Sequence, residues 1–294
     1  ISFIGLGVMG FPMAGHLSKR PDVEITVFNR TPAKSAAWAQ TYSGKTAETP
    51  EDAVSEADLI LICVGRDEDL RQMMEGIGGD TGILSAAKAG AIIIDHTTVS
   101  AKISREMAEK SAARGVFFMD APVSGGQAGA ENGALTVMCG GDLDAFERVK
   151  PLLKEAYAKE MRLMGPVGAG QLTKMVNQIC IAGLLQGLSE GVAFGLNAGL
   201  DMDEVFAAIG KGAAQSWQMD NRGRTMARDE FDFGFALDWM IKDLKIAIDE
   251  ASRNKTDLPV TQTVLSYYEE LSEKGCGRMD TSALVKRLHN NKSE

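Results

Sequence analysis

The chain opens with the stretch Ile1-Ser2-Phe3-Ile4-Gly5-Leu6-Gly7-Val8-Met9-Gly10, an apolar run that leads into a G-x-G-x-x-G pattern. The run predicts a strand, and Met9–Lys19 predicts the helix that follows. In this context the three glycines permit a tight turn, close approach of the backbone to a pyrophosphate, and close packing of helix on strand. The helix N-terminus offers N–H groups to phosphate. The stretch therefore predicts a dinucleotide-binding unit with contacts along Gly5–Gly10.

Five more apolar runs follow in the first half, separated by stretches of helical periodicity such as Ala101–Arg114. Most are almost continuously apolar, as expected for strands covered on both faces. This alternation predicts an α/β fold with a Rossmann-type, doubly wound and mostly parallel sheet. The six predicted strands are Ile1–Ile4, Glu24–Phe28, Leu59–Val64, Ala91–Asp95, Val116–Met119 and Leu135–Cys139.

The second half has a different pattern. From about Gly170 onward no segment predicts a strand, and Gln171–Ala198 predicts one long helix rich in apolar and small residues. Further helices are predicted at Met202–Lys211, Leu237–Asn254 and Pro259–Lys274. We therefore predict a nucleotide-binding domain over residues 1–164 and an all-α substrate and oligomerisation domain over residues 165–294.

The composition excludes several classes of partner. The net charge of −9 and the lack of a long basic run argue against nucleic acid, whose phosphates need clustered cations. Scattered cysteines and only three histidines predict a reducing cytoplasm and no metal site. No run of about 18 uninterrupted apolar residues occurs, so we expect no membrane span. Residues 290–294 are expected to form a frayed tail.

The end of the second predicted strand reads Phe28-Asn29-Arg30-Thr31. An NAD-binding protein usually has an acid about 20 residues beyond the glycines, where it accepts from the ribose 2′-hydroxyl. Here Asn29 replaces the acid, and Arg30 can form a charge-assisted fork to a 2′-phosphate. Thr31 and Lys34 can add contacts. This pattern favours NADP(H), with NAD(H) still possible; the alternative is an exposed arginine in an ordinary loop.

Two segments carry candidate chemistry. Asp120-Ala121-Pro122-Val123-Ser124-Gly125-Gly126 follows a predicted strand, and its polar turn offers donors for a substrate carboxylate. A plain Gly-Gly loop is an equally good interpretation. In the long helix, Lys174, Asn177 and Gln178 share one face, at spacings i, i+3 and i+4. A lysine in apolar surroundings can exchange a proton near neutrality, although a snorkelling lysine at a helix start is more common.

The combination of segments resembles the β-hydroxyacid dehydrogenase family, which includes 3-hydroxyisobutyrate dehydrogenase, tartronate semialdehyde reductase and the glyoxylate/succinic semialdehyde reductases. The resemblance covers nearly the whole chain, with the pieces in family order. They are Ile4–Gly10, Asp120–Gly126, Gly168–Gln178, Lys242-Asp243-Leu244 and Gly275–Leu284.

The resemblance implies roles for individual residues. Lys174 would be the general acid/base, and Ser124, Gly125 and Gly126 would hold the substrate carboxylate. Asn177 or Gln178 would orient the substrate, and the resemblance leaves open which of them does. Thr98, in Asp95-His96-Thr97-Thr98, would meet the nicotinamide side of the cofactor, and Val64, at the end of a predicted strand, would also contact the cofactor. Lys242 would close over cofactor and substrate from the helical domain.

The expected activity is hydride transfer between NADP(H) and a small carboxylate-bearing hydroxy acid or semialdehyde. Two alternatives are an imine reductase-like enzyme, which Lys174 disfavours, and a non-catalytic nucleotide-binding module. The apolar long helix predicts a homo-dimer or homo-tetramer. Weaker candidates for ligand contact are His96, Trp217, Trp239, Arg222 and Arg224.

Overall fold

The computed structural model describes residues 1–76 and 81–288, so the tail expected at 290–294 lies outside the described residues. The chain forms two compact units, Ile1–Lys174 and Met175–Glu294. The sequence prediction puts the domain boundary before the long helix, whereas the observed division falls inside this helix. The reason is that the first turn of the helix is hydrogen-bonded to Asp120, at a strand end of the first unit.

The first unit is built on one sheet, which confirms the predicted Rossmann-type fold. Its described strands run in the order β3-β2-β1-β4-β5-β6-β8-β7, and β9 pairs with β8. The pairs from β3 to β6 are parallel, and β8 runs antiparallel to β6. The strands are β1 (Ser2–Ile4), β2 (Thr26–Phe28), β3 (Lys45–Thr46), β4 (Leu59–Ile62), β5 (Ile92–Asp95), β6 (Phe117–Asp120), β7 (Val123–Ser124), β8 (Leu135–Gly140) and β9 (Ala158–Gly165).

The central strands are buried on both faces. Along β1, Phe3 packs into one apolar cluster and Ile4 into a second, on the opposite face of the sheet. Leu61 and Ile62 divide in the same way along β4. Successive side chains of a strand point to opposite faces, so a sheet covered on both faces requires continuous apolar runs. This explains why these strands could be located from the sequence.

Helices cover the sheet and form the second unit. In the first unit they are α1 (Gly10–Ser18), α2 (Pro32–Thr41), α3 (Pro50–Val54), α4 (Asp67–Glu75), α5 (Ile83–Ala86), α6 (Ala101–Ala112), α7 (Gly126–Glu131) and α8 (Leu143–Ala156). The long helix α9 (Ala169–Asn197) begins in the first unit and continues into the second. It is followed by α10 (Met202–Ile209), α11 (Arg224–Ala227), α12 (Leu237–Asn254) and α13 (Pro259–Leu271).

All six predicted strands are present, with their ends shifted by one or two residues, and three further strands were not predicted. The longest of these is β9, in which buried Ala158 and Met161 lie three residues apart, with a shift of register against β8 between them. Such a strand has no continuous apolar run. Its irregular burial pattern also lacks the period of two that marks a half-buried strand.

The second unit packs around two apolar clusters. One joins Ala182 and Leu185 of α9 to residues of α12 and α13, and the other joins Val192 of α9 to residues of α10. Helix α9 is the one described helix that is long and apolar enough to cross a membrane, judged by length and composition alone. A helix in the core of a soluble protein passes the same test, and the burial of Ala182, Leu185 and Val192 fits that interpretation.

Candidate active site

The glycine loop between β1 and α1 keeps open space where a pyrophosphate would lie. Gly5 has φ +98°, and a Cβ there would stand 2.2 Å from the Cys63 carbonyl oxygen. A Cβ on Gly10 would stand 2.0 Å from the Gly5 carbonyl oxygen, whereas a Cβ on Gly7 would meet nothing within 4 Å. The N-cap residue of α1, Met9, makes no side-chain hydrogen bond to the helix. The loop therefore fits an anionic group held by backbone amides.

The end of β2 is fastened to this loop. The Asn29 side chain accepts a hydrogen bond from the Leu6 N–H at 2.8 Å and donates to the Thr31 carbonyl at 3.1 Å. The Arg30 guanidinium is paired with Asp69 of α4 at 3.0 Å, yet 69% of its side chain is exposed. Lys34 is also exposed. A neutral amide and two accessible cations thus lie at the position where an NAD-binding protein carries an acid.

The loop after β5 is tied to its neighbours by three hydrogen bonds. The hydroxyl of buried Thr97 accepts from the Val64 N–H at 3.0 Å, at the end of β4. The Gln171 amide donates to the Thr97 carbonyl at 2.7 Å and accepts from the Val99 N–H at 3.2 Å. The two bonds from Gln171 flank the half-buried Thr98. The loop is thereby attached both to Val64, which follows the neighbouring strand β4, and to Gln171 in the first turn of α9.

Asp120 ends β6 and is fully buried. Its carboxylate accepts from the Gly168 N–H at 2.6 Å and from the Gln171 N–H at 2.8 Å, so it caps the start of α9. A carboxylate at this position is favoured by the free N–H groups and the dipole of the helix. Burial nevertheless raises the pKa of Asp120 to about 6, although the backbone hydrogen bonds act to lower it.

Lys174 lies one turn further along α9 and is only 8% exposed. Its ammonium donates to the Val123 carbonyl at 2.9 Å, next to Ser124. Ser124 belongs to β7, where it pairs with Thr136 of β8. Gly125 and Gly126 follow with φ +135° and +61° and are exposed. The first unit therefore brings the predicted proton carrier and the predicted carboxylate turn together.

His96, directly after β5, is buried, and both of its ring nitrogens face polar partners. Its Nδ1 is 2.7 Å from the Ala121 carbonyl oxygen and its Nε2 is 2.7 Å from the Tyr157 hydroxyl. A carbonyl only accepts, so Nδ1 carries the proton and Nε2 accepts from the tyrosine. Burial lowers the pKa of His96 to about 4. Both ring nitrogens are therefore engaged within the protein, which favours a structural role over ligand contact.

The predicted residues of the second unit form a separate polar chain. The Asn177 side chain donates to Gln178 Oε1 at 2.7 Å, and Gln178 Nε2 donates to Asp243 Oδ2 at 2.6 Å. The Lys242 ammonium lies 3.3 Å from Asp243 Oδ1 and 5.6 Å from the centre of the Trp239 ring. Gln178 is fully buried, and both ends of its amide are occupied. Half-buried Asn177 is the outer of the two amides.

The weaker arginine candidates are paired with acids. Arg222 bonds buried Asp280 at 3.2 Å, and its guanidinium lies 4.1 Å from the centre of the Phe233 ring. Arg224 pairs with Asp203 at 2.7 Å. Trp217 is 54% exposed. These contacts give both arginines partners inside the second unit, and they add no support for the predicted contact of either arginine with ligand.

Sequence reasoning missed two residues that organise the site, Asp120 in its capping role and Gln171. A signal existed for each. Asp120 is a charged residue at the end of an apolar strand, where a buried carboxylate needs donors. Gln171 stands in the first turn of the long helix, among residues with an apolar pattern. What the sequence lacks is the pairing of Gln171 with Thr97 and Val99, because more than 70 residues separate them.

The chain is similar to known oxidoreductases over its whole length. Residues 1–165 match the NAD binding domain of 6-phosphogluconate dehydrogenase, and residues 168–288 match the NAD-binding region of NADP-dependent 3-hydroxyisobutyrate dehydrogenase. An uncharacterised oxidoreductase from Shewanella frigidimarina is 56% identical over 100% of this chain and 99% of its own length. The 2-hydroxy-3-oxopropionate reductase of Escherichia coli is 34% identical over 98% of this chain and 96% of its own length.

A solved structure supports the same relationship. The 3-hydroxyisobutyrate dehydrogenase of Mycobacterium tuberculosis, solved with L-serine, is 27% identical to this chain. It superposes with a TM-score of 0.87 and covers 98% of each chain. The similarity therefore extends over both units and includes every segment on which the site is built.

Proposed function

Because the chain belongs to the β-hydroxyacid dehydrogenase family of NAD(P)-dependent oxidoreductases, we propose that it reduces a small semialdehyde or oxo acid with NADPH and oxidises the matching β-hydroxy acid in reverse. The observation that carries the proposal is the 2.9 Å bond from the buried Lys174 ammonium to the Val123 carbonyl, beside the Ser124 turn. This bond supports the proposal because it holds the proposed proton carrier next to the proposed carboxylate-binding turn.

The glycine loop would hold the cofactor pyrophosphate. The open space over Gly7 and the amide-bearing start of α1 suit that group. Val64 and Thr98, in the loops that follow β4 and β5, would lie along the nicotinamide, because an open α/β sheet binds ligands at the carboxyl ends of its strands. When bound, the reduced nicotinamide supplies the hydride that reaches the substrate carbonyl carbon.

Lys174 would donate the proton that the new hydroxyl group requires. Its ammonium, which carries three donors, is held at the Val123 carbonyl beside the Ser124 turn, where the substrate oxygen would lie. In the oxidative direction the neutral amine would take the same proton back. A positioned group of this kind contributes about a hundred- to ten-thousand-fold to the rate.

The substrate carboxylate would bind at Ser124, Gly125 and Gly126. The serine hydroxyl and the exposed glycine amides are donors, and an anion accepts from such a turn. Asn177 would orient the substrate, since both ends of the Gln178 amide are already occupied. Lys242 would add a positive charge from the second unit when substrate is bound.

Preference for NADPH would come from Arg30. Its exposed guanidinium can form a bidentate contact with a 2′-phosphate, and Asn29 adds no negative charge that would repel it. Thr31 and the exposed Lys34 would add further contacts to the 2′-phosphate. NADH would bind more weakly but would remain usable, because both cofactors carry the pyrophosphate that the glycine loop would hold.

The assembly is proposed to be a homo-dimer or homo-tetramer in the cytoplasm. Helix α9 exposes several large apolar side chains, and contiguous apolar surface commonly marks a contact between chains. The exposed residues are Val176, Leu184, Phe194 and Leu196. Light scattering at several protein concentrations would give the mass, and a monomer at all of them would contradict this part of the proposal.

A substrate panel tests the activity. Glyoxylate, succinic semialdehyde and tartronate semialdehyde are compared with propanal and butanal, with NADPH absorbance as the readout. A site that pairs with a carboxylate rejects analogues that lack it by about 10⁴-fold in favourable cases. We expect at least one acid to exceed both plain aldehydes strongly in kcat/KM, and Ser124→Ala to reduce that ratio.

Controls separate the alternatives. An imine reductase-like enzyme would instead consume NADPH with a cyclic imine, and a non-catalytic module would bind NADPH without turnover. Gln127→Ala, an exposed neighbour of the turn, serves as the matched control and should leave kcat/KM unchanged. Comparable rates with plain aldehydes and semialdehydes would rule out the carboxylate turn.

A further inference from the structure

Gln171 connects the loop that follows β5 to the end of β6. Its backbone N–H bonds Asp120 at the end of β6, and its side chain bonds the loop after β5. It is fully buried. Lys174 lies three residues further along the same helix, which places the two side chains on neighbouring turns. One short segment of α9 thus contacts both loops.

The side-chain bonds of Gln171 have a specific geometry. The amide donates to Thr97 and accepts from Val99, so it reproduces the paired bonds that a neighbouring strand would make to the residues on each side of Thr98. Thr97 is held on its other side by the Val64 N–H. The backbone around Thr98 is therefore fixed to α9 as well as to the sheet.

From these contacts we propose that Gln171 is a positioning residue, which sets the distance between the cofactor loop at Thr98 and the proton carrier Lys174. The inference rests on the proposed function of these two residues. Hydride and proton must reach adjacent atoms of one carbonyl group, so their sources need a fixed separation. Displacement of a reacting group by about 1 Å can cost about a hundred-fold in rate.

The bonds of Gln171 are suited to this role because each is buried and directional. A buried carbonyl or N–H that loses its partner is costly, so the loop and the helix resist separation. Asp120 fixes the helix start through two further N–H groups. Lys174 is held at its outer end by the Val123 carbonyl. Loop, helix start and ammonium are each anchored by hydrogen bonds within the first unit.

The test uses Gln171→Met, which keeps the length of the side chain and removes both hydrogen bonds. In the protein without cofactor, exchange of the Val99 amide hydrogen should accelerate by about tenfold or more, because its acceptor is lost. In single turnovers with NADPH and the best acid of the panel, hydride transfer should slow by about ten- to a hundred-fold. NADPH affinity, measured by nicotinamide fluorescence, should stay within about threefold.

Isotopic substitution gives a readout that a purely structural role does not change. With NADPH deuterated at the transferred position, the isotope effect on kcat should rise in Gln171→Met, since hydride transfer becomes more rate-limiting. The control is Leu153→Ala, which removes buried apolar contact from α8 and lowers stability. This variant should keep the wild-type hydride-transfer rate and isotope effect.

A second variant covers the case in which Gln171→Met does not fold. Gln171→Asn keeps the amide and shortens the side chain by one methylene group, so the slower hydride transfer should appear there as well. The inference is overturned if a folded variant transfers hydride within about threefold of wild type, or if Leu153→Ala slows it equally. If the wild-type chain is inactive on every acid, the proposed function is contradicted instead. Exchange of the Val99 amide hydrogen still tests whether Gln171 fixes the loop after β5.

Discussion

The site in the first unit has two ends that are held in different ways. The proposed cofactor end, formed by Gly5–Gly10 with Asn29 and Arg30, uses contacts between residues 23 and 39 positions apart, and its proposed recognition residue, Arg30, is exposed. The proposed catalytic end, formed by Asp120, Gln171 and Lys174, uses buried bonds between segments about 50 or more residues apart. A glycine-rich motif can be recognised in a sequence, whereas hydrogen bonds between distant residues are known only from the fold. The difference also predicts distinct responses to mutation.

The largest effect is expected at the catalytic end. Lys174→Met should lower kcat by about a hundred- to ten-thousand-fold, because the substrate oxygen loses its proton donor. NADPH affinity should change little, since the glycine loop is intact. Steady-state kinetics and fluorescence titration measure the two quantities. A kcat within threefold of wild type would show that Lys174 is not the acid/base, and loss of NADPH binding would show that the two ends are not independent.

The buried titratable groups should make the catalytic end sensitive to pH, with opposite signs. His96 has its pKa lowered to about 4 from 6.5, so its contribution to stability is lost as the pH falls from 6.5 towards 4. Asp120 has its pKa raised to about 6 from 3.8, so its contribution is greatest below pH 3.8 and is lost as the pH rises through 6. Each effect is on the order of 2–3 kcal/mol.

Variants separate these two contributions. Between pH 7 and pH 4.5, His96→Gln should gain unfolding free energy relative to wild type, and Asp120→Asn should lose it. Urea unfolding is followed in a background that retains only Trp38, which is buried in the first unit. Equal pH profiles for the two variants would mean that neither group titrates as its surroundings indicate.

At the cofactor end, Arg30→Ala should weaken NADPH by about 1.5–3 kcal/mol, roughly ten- to a hundred-fold, because a charge-assisted contact to the 2′-phosphate is lost. NADH has no such phosphate and should bind as before. Dissociation constants for both cofactors provide the measurement, and Lys154→Ala on α8 is the matched control for loss of one exposed charge. Equal weakening of NADH and NADPH would exclude the assigned contact.

The smallest effect on stability is expected at Gly7. A Cβ there meets no atom within 4 Å, so Gly7→Ala should leave the unfolding free energy nearly unchanged while it obstructs the pyrophosphate. Gly10→Ala is the contrasting variant, because its Cβ would overlap the Gly5 carbonyl and cost about 1–3 kcal/mol. Thermal unfolding and NADPH titration of both variants are sufficient. A loss of stability in Gly7→Ala as large as in Gly10→Ala would contradict the open space over Gly7.

Much of the architecture was predictable because its signals are local. The G-x-G-x-x-G run, the continuous apolar strands and the long helix at Ala169–Asn197 follow from patterns within a few residues. Strand β9 was missed because charged residues interrupt its apolar pattern. Lys174 and Ser124 came from motifs, while Gln171 and the buried His96–Tyr157 pair depend on distant partners. No local pattern specifies such pairs, since the fold selects them.

The cap on Asp120 has a consequence for synthesis of the protein on the ribosome. The sheet of the first unit is complete in sequence by Gly165, yet the donors that satisfy the buried Asp120 carboxylate come from Gly168 and Gln171. A nascent chain that ends before these residues buries a carboxylate without its hydrogen bonds, which is costly. Cotranslational completion of the nucleotide-binding unit therefore waits for the first turn of α9 to leave the exit tunnel. A gene fragment cut at residue 165 would keep every strand and lose the bonds that complete the unit.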